Sequence, residues 1–412
     1  MNRSIVIGAR GWVLFGLVVL LAGCGATSPR LQVSGFHSDF TLSPETPFRA
    51  YVEQTRNMIA RTRVDVNEIT RQAVLSANAP FEWEPDGARF PRTPQGKHRK
   101  GVLLIHGLSD SPYLIQPIAR HLRERGFLVR AVLLPGHGTV PGDLRQVTWQ
   151  AWVKAVEYGM RTLKADAESV FIGGFSTGGA LSVRQSLEDP EIRGVFLFAP
   201  AFAARDRRSA LLGVLRPFSE WIGPPRDDGD YAKYESFALN GAYQLVLLSA
   251  DLQSRLREKG RLGAPVFAAL SEDDLTVDAG RTLHDLSRYG TSPRNRIVLY
   301  TKSPRERAFR FTGELIQEQS FLPEERIYDF SHLALTIPPD DPHYGVNGGY
   351  RNCHHYAGDP EKRRACRQDD SVWQGEVSRE NLERGVMRRL SYNPLFGRLL
   401  HHLDRFLEGL GL

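Results

Sequence analysis

Hydrophobic positions change their spacing along the chain, and each change marks a different kind of segment. Residues 11–23 are almost wholly apolar, whereas 25–45 are rich in Ser, Thr, Gly and Pro and carry no period. Over 47–77, Phe48, Val52, Met58, Ile59, Val66, Ile69 and Val74 follow helical spacing. Residues 81–83 then read as a short strand and 85–100 as a charged, Pro-rich loop. From Gly101 short apolar runs alternate with amphipathic stretches. Residues 102–105, 127–134, 170–173, 195–198, 266–270 and 297–300 are expected strands; 113–125, 149–164, 177–187 and 283–289 are expected helices. Unbroken apolar strands between helices predict an α/β fold, with a mostly parallel sheet covered by helices on both faces.

The alternation stops over 201–264. There, 211–221 and 245–256 are helix candidates on either side of an acidic, Gly/Pro-rich stretch at 223–230. An insertion of that size in a parallel-sheet fold reads as a helical cap. Leu211, Leu212, Val214, Leu215 and Phe218 would suit an apolar pocket in it. Residues 302–323 read as irregular and helix-like. A 412-residue chain could hold two or three domains at about 150 residues each. The continuous alternation favours one domain over 46–412, with 338–412 as a C-terminal extension. The 41% hydrophobic content excludes a disordered chain, and a net charge of +6 on mixed-sign sequence gives no footprint for nucleic acid.

The first two dozen residues read as an address. Arg3 and Arg10 precede the apolar run, which ends Leu21-Ala22-Gly23-Cys24 and is followed by small residues. A basic start, an apolar middle and a small-residue cleavage site describe an export signal over 1–23, and the run is short against the ~20 residues that span a bilayer. Leu-Ala-Gly-Cys also resembles the bacterial lipobox, in which Cys24 would be acylated and 24–45 would be a tether. Removing 1–23 takes away two arginines and no acids, lowering the net charge from +6 to +4. Gly25 is not the aspartate that retains enteric-type lipoproteins in the inner membrane, so a cell-envelope, outer-membrane location is expected. Of three cysteines, Cys353 and Cys366 are then left as a pair in an oxidising compartment. A disulfide is expected there, because Cys353-His354-His355 before Cys366 matches no common zinc spacing.

The candidate chemistry lies at strand ends. Gly174-Phe175-Ser176-Thr177-Gly178 sits between an expected strand and an expected helix, the context of a nucleophile elbow. The turn must be sharp, so the flanking positions must be small, and the serine hydroxyl is exposed at a helix N-terminus. A serine needs a base, and the base needs an acid to fix its tautomer. Asp274, after the strand at 266–270, is the expected acid, with Asp273 one register away. His332, in a loop after the extended 326–330, is the expected base, with His343 second. Backbone amides of Thr177 and of Leu108, in Ile105-His106-Gly107-Leu108, are the expected oxyanion donors. His106 reads as a residue that holds its loop.

Several motifs occur in one order. They are Leu104-Ile105-His106-Gly107-Leu108, Ser111-Pro112, Leu134-Pro135-Gly136-His137-Gly138-Thr139, Trp149 with Trp152, and Gly174 to Gly179. Over residues 101–335 the chain resembles the bacterial carboxylesterase and monoacylglycerol lipase branch of the α/β-hydrolases. The resemblance implies the α/β-hydrolase fold, a Ser176–Asp274–His332 triad, a cap over an acyl pocket and a structural role for His137. It further implies hydrolysis of an acyl ester (monoacylglycerol, lysophospholipid or short-chain) with no metal or organic cofactor. Acyl transfer through the same triad, or a non-catalytic envelope binding protein on this scaffold, are the rival readings.

Overall fold

The computed structural model describes residues 28–37, 39–63, 65–226, 229–305 and 311–412; Cys24 and the apolar run before it lie outside these residues. Helices α1 (Phe48–Thr62) and α2 (Arg71–Asn78) precede a sheet of eight strands. The strands are β1 (Phe81–Trp83), β2 (His98–Ile105), β3 (Leu128–Val132), β4 (Ala167–Phe175), β5 (Ile192–Phe198), β6 (Val266–Ser271), β7 (Arg296–Thr301) and β8 (Glu314–Gln319). Their order across the sheet is β1-β3-β2-β4-β5-β6-β7-β8, with β1 antiparallel to β3 and every other pair parallel. The helices between them are α3 (Gln116–Glu124), α4 (Trp149–Asp166), α5 (Thr177–Glu188), α6 (Leu212–Leu215), α7 (Leu239–Lys259) and α8 (Ala279–Tyr289). After the sheet come α9 (Pro360–Gln368), β9 (Trp373–Gly375), α10 (Arg379–Glu383), β10 (Met387–Arg389) and α11 (Phe396–Gly409). β9 and β10 form a small parallel pair of their own.

Strand alternation divides the interior into two cores. Leu103, Ile105, Ile172, Leu197, Ala268 and Leu270 face one way, against α4, α5, α7 and α8. Val102, Leu104, Phe171, Phe196, Phe267 and Ala269 face the other way, against α3 and α11. Phe171, Phe196 and Phe267 are wholly buried there, and each such side chain contributes ~1.5–3 kcal/mol. Both faces being covered is what made these strands legible as unbroken apolar runs.

Four expectations change. Residues 302–323 contain β8, a parallel edge strand whose sequence Glu-Leu-Ile-Gln-Glu-Gln is mostly polar because one side lacks a neighbour. Residues 211–221 are not one helix: a 3₁₀ turn (Arg207–Leu211) runs into the four-residue α6, and Pro217 offers no N–H to continue it. The expected apolar pocket of the cap is correspondingly thin. Leu211, Val214, Leu215 and Phe218 are exposed, and Leu212 alone of the five lines the cavity described below. Residues 28–45, expected as a tether, lie against the domain. Ser34 donates to Asp143 from its N–H (2.6 Å) and from its hydroxyl (2.7 Å), Gly136 N–H donates to His37 O (2.7 Å), and Phe40 packs on Tyr51 and Tyr158.

Two further segments behave differently from simple appendages. α7 lies within the 201–264 insertion, yet Leu248, Leu252 and Leu256 bury against the core while Leu245 and Val246 line the cavity. The 338–412 segment closes the sheet with α11 and supplies one wall of the cavity. Within it Cys353 and Cys366 form a disulfide, with Cα atoms 6.1 Å apart. No helix among the described residues is long and apolar enough to cross a membrane.

Candidate active site

β4 ends in Phe175 and α5 begins at Thr177, leaving Ser176 to make the whole turn. Its backbone sits at φ 55° and ψ −115°, a strained conformation for a residue with a Cβ, which costs about 1–3 kcal/mol. The surroundings hold it there. Ser176 N–H donates to Phe198 O (2.9 Å), and its carbonyl accepts from the amides of Gly179 (2.9 Å) and Ala201 (2.9 Å). A side chain at Gly174 would run into the backbone of Gly178, and one at Gly178 into the backbone of Ile105. The motif glycines are therefore fixed by backbone-to-backbone contact between β2, β4 and α5.

The loop after β2 approaches the serine from the other side. A Cβ on Gly107 would run into Asp110 Oδ2 and lie 3.1 Å from Ser176 Cβ, so a larger residue there would push on both. Leu108 and Ser176 line one cavity. Buried histidines hold the loop. His106 Nε2 accepts from Leu134 N–H (3.0 Å) while its Nδ1–H donates to Gly107 O (2.8 Å). His137 Nε2 accepts from Ser109 N–H (3.0 Å), in turn bracing Ser109 at φ 64°. His37 on the docked arm donates from Nδ1 to His137 O (3.1 Å). Burial keeps all three neutral, lowering His37 to about 4, His106 to about 3 and His137 well below the usual range. They are fasteners rather than proton carriers.

His332 reaches the same cavity as Ser176, with its ring 4.8 Å from that of Phe175. Its Nδ1–H donates to Asp274 Oδ2 at 2.6 Å, and Asp274 is almost fully buried. The other oxygen of Asp274 accepts from Thr276 N–H (2.7 Å) and Val277 N–H (3.0 Å), so the carboxyl group is oriented by its own turn. Asp273 points elsewhere, pairing with Lys302 at 2.9 Å; burial, ahead of its acidic neighbours, raises its pKa. His343 is likewise engaged away from the serine, with Asp230 at 2.9 Å. Geometry thus brings Ser176, His332 and Asp274 together and sets the two runner-up residues apart from them.

The cavity measures about 710 Å³. Its lining includes the apolar Phe202, Phe237, Leu245, Val246, Val277 and Leu333. It also carries paired polar groups. Lys233 donates to Ser109 Oγ (3.0 Å) and to Asp110. Glu235 accepts from Tyr350 OH (2.5 Å) and contacts His354 Nε2 (2.5 Å). Glu376 accepts from Arg389 at 2.9 and 3.1 Å. Sequence reasoning missed these side chains. Tyr350, His354, Glu376 and Arg389 come from the C-terminal segment, where no period or motif marks an inward-facing residue.

Residues 96–236 match the family model described as serine aminopeptidase, S33. The thermostable monoacylglycerol lipase of Bacillus sp. (strain H-257) is 30% identical over 187 residues, which is 44% of this chain and 72% of that protein. The carboxylesterase of Bacillus subtilis (strain 168) is 26% identical over 185 residues, 43% of this chain and 74% of that one. Among solved structures, one described with the metagenome-derived lipolytic enzymes LipS and LipT superposes with a TM-score of 0.46 at 21% identity, covering 59% of this chain and 88% of that chain. Elbow, loop and parallel sheet agree with these sequence matches, and the chain belongs to the S33 serine aminopeptidase family of α/β-hydrolases, with monoacylglycerol lipase and carboxylesterase relatives.

Proposed function

We propose that this protein hydrolyses carboxylic monoesters through an acyl-enzyme, with Ser176 as nucleophile. The observation that carries the reading is a strained serine on the wall of one cavity, shared with a histidine whose far nitrogen is fixed by a buried aspartate. His332 Nε2 takes the hydroxyl proton as Ser176 attacks the carbonyl carbon, then returns it to the departing alcohol. Asp274 holds the imidazole in the Nδ1–H tautomer and stabilises the imidazolium. The amides of Leu108 and Thr177 receive the charge that develops on the carbonyl oxygen, aided by the N-terminus of α5. A water then repeats the sequence and frees the acid.

The apolar lining of the cavity suits an acyl chain and its polar groups a small polar alcohol, as in a monoacylglycerol, lysophospholipid or short acyl ester. Cleavage of an N-terminal peptide bond is less well supported. It would need a free carboxylate for the substrate ammonium, whereas Asp110, Glu235 and Glu376 already face Lys233, His354 and Arg389. From the lipobox-like sequence, the mature protein is anchored in the envelope membrane through acylated Cys24.

Initial rates of the full chain on p-nitrophenyl esters of rising chain length, beside Ser176→Ala, test the catalytic reading. Loss of at least about 10³-fold in a folded alanine variant is expected, and the best chain length sizes the acyl side. Equal rates in both proteins would overturn it.

A further inference from the structure

We infer that Glu376 and Arg389, both from the C-terminal segment, are positioning residues that lock the acid and the base of the site to each other. The inference rests on the catalytic reading above. Glu376 is 2% exposed. Its Oε2 accepts from His332 N–H (3.3 Å) and from Leu275 N–H (3.5 Å), the residue after Asp274. Arg389 grips both carboxylate oxygens, at 2.9 and 3.1 Å, and reaches Thr276 Oγ1 at 3.3 Å. One ion pair therefore touches the turn after β6 and the histidine itself, two segments also joined by the Asp274–His332 bond and by Ser271 Oγ donating to Phe330 O (2.6 Å).

The pair is in turn held rigidly. Glu376 N–H donates to Asp329 Oδ1 (2.6 Å), and Asn381 donates to the other oxygen of Asp329 (2.8 Å). Leu390 N–H donates to Gly375 O (3.0 Å), and Ser331 Oγ donates to Leu390 O (2.6 Å). Glu376, and the residues beside it and beside Arg389, are thus stitched to the extended segment leading into His332. A single loop hydrogen bond would leave the imidazole free to swing by an ångström, and misplacement of that size costs catalysis heavily.

The charges matter as well as the shape. A lone carboxylate beside the backbone of His332 would favour the imidazolium and leave less neutral imidazole to take a proton at a given pH. Arg389 cancels that field, so each partner biases the imidazole in the opposite direction to the other. Asp274 also faces His332. Elsewhere around the cavity Asp110, Lys233, Glu235, His354 and His355 have partners of their own, the last on Met387 O (3.1 Å).

The test measures kcat and KM of the full chain on a p-nitrophenyl ester from acid to alkaline pH. Glu376→Gln should move the acid limb of kcat/KM to lower pH by about half a unit or more, and Arg389→Met should move it to higher pH by a similar amount. In both, kcat should fall about tenfold with KM within about twofold. The double variant, neutral at both positions, should restore the limb but not kcat. Limbs that stay put, or move the same way, in folded single variants would reduce the pair to a structural brace and overturn the inference. If a single variant does not fold, the double decides: unchanged kcat overturns the inference, and lowered kcat at unchanged KM supports it. Parental activity that survives Ser176→Ala would instead take down the catalytic reading and this inference together; activity lost in that variant beside unmoved limbs takes down the inference alone.

Discussion

The proposed nucleophile and the proposed base of this site are built in different ways. Ser176 sits in a turn made by contiguous residues of β4 and α5, with glycines dictated by contact with β2. His332 opens a short 3₁₀ turn (His332–Thr336) held from outside, by Asp274 before it in the chain and by Glu376, Leu390 and Asn381 after it. The first half is encoded locally and the second by contacts across tens of residues. Local encoding leaves a motif; long-range encoding leaves chemistry without one.

The largest effect breaks the nucleophile half outright, in the Ser176→Ala comparison already described. Next comes the choice between neighbouring carboxylates. Asp274→Asn should lower kcat about 10³–10⁴-fold by releasing the imidazole tautomer. Asp273→Asn, which removes the charge pair with Lys302 and alters the contact with Ser320, should leave kcat within about threefold. Steady-state kinetics on one ester separates them, and equal losses would sink the assignment of the acid.

Stability sharpens the contrast further. Replacing Cys353 and Cys366 by serine opens the loop that carries His354 and His355 on the cavity wall. It should cost about 3 kcal/mol in denaturant unfolding if the chain-entropy account holds. The fasteners of the nucleophile half should respond to acid instead. His37 and His106 are buried neutral with pKa values of about 4 and about 3, so the unfolded chain binds more protons below the ordinary histidine value of about 6.5. Their contribution is complete above that value and is lost as pH falls toward the folded pKa values. Each should forfeit about 2 kcal/mol by pH 5, read as a falling denaturation midpoint. A flat midpoint from pH 7 to pH 5 would contradict their burial as neutral fasteners. The smallest effect belongs to the cap. Phe218→Ser alters an 84%-exposed side chain and should shift stability by less than about 0.5 kcal/mol.

The same division explains what could be read from sequence. Strands covered on both faces announced themselves as apolar runs, and the elbow announced itself through Gly174 and Gly178. β8 did not, because an edge strand with mostly polar residues has no apolar run to detect. The cap misled, since Leu211, Val214 and Leu215 have helical spacing and yet face solvent. Asp273 and Asp274 differ by one register position, which only the direction of the turn resolves. The docking of residues 28–45 and the Glu376–Arg389 pair depend on partners over a hundred residues away in the first case and on an unpatterned loop in the second.

On the proposed mechanism, a locally built serine is activated by a base held from a distant part of the chain. Labelling with a fluorophosphonate, followed by peptide mass spectrometry, tests it most directly. A single adduct on Ser176 is predicted, forming at least about a hundredfold more slowly in His332→Ala and Asp274→Asn. An adduct on another serine, or Ser176 labelled at the parental rate without His332, would contradict it.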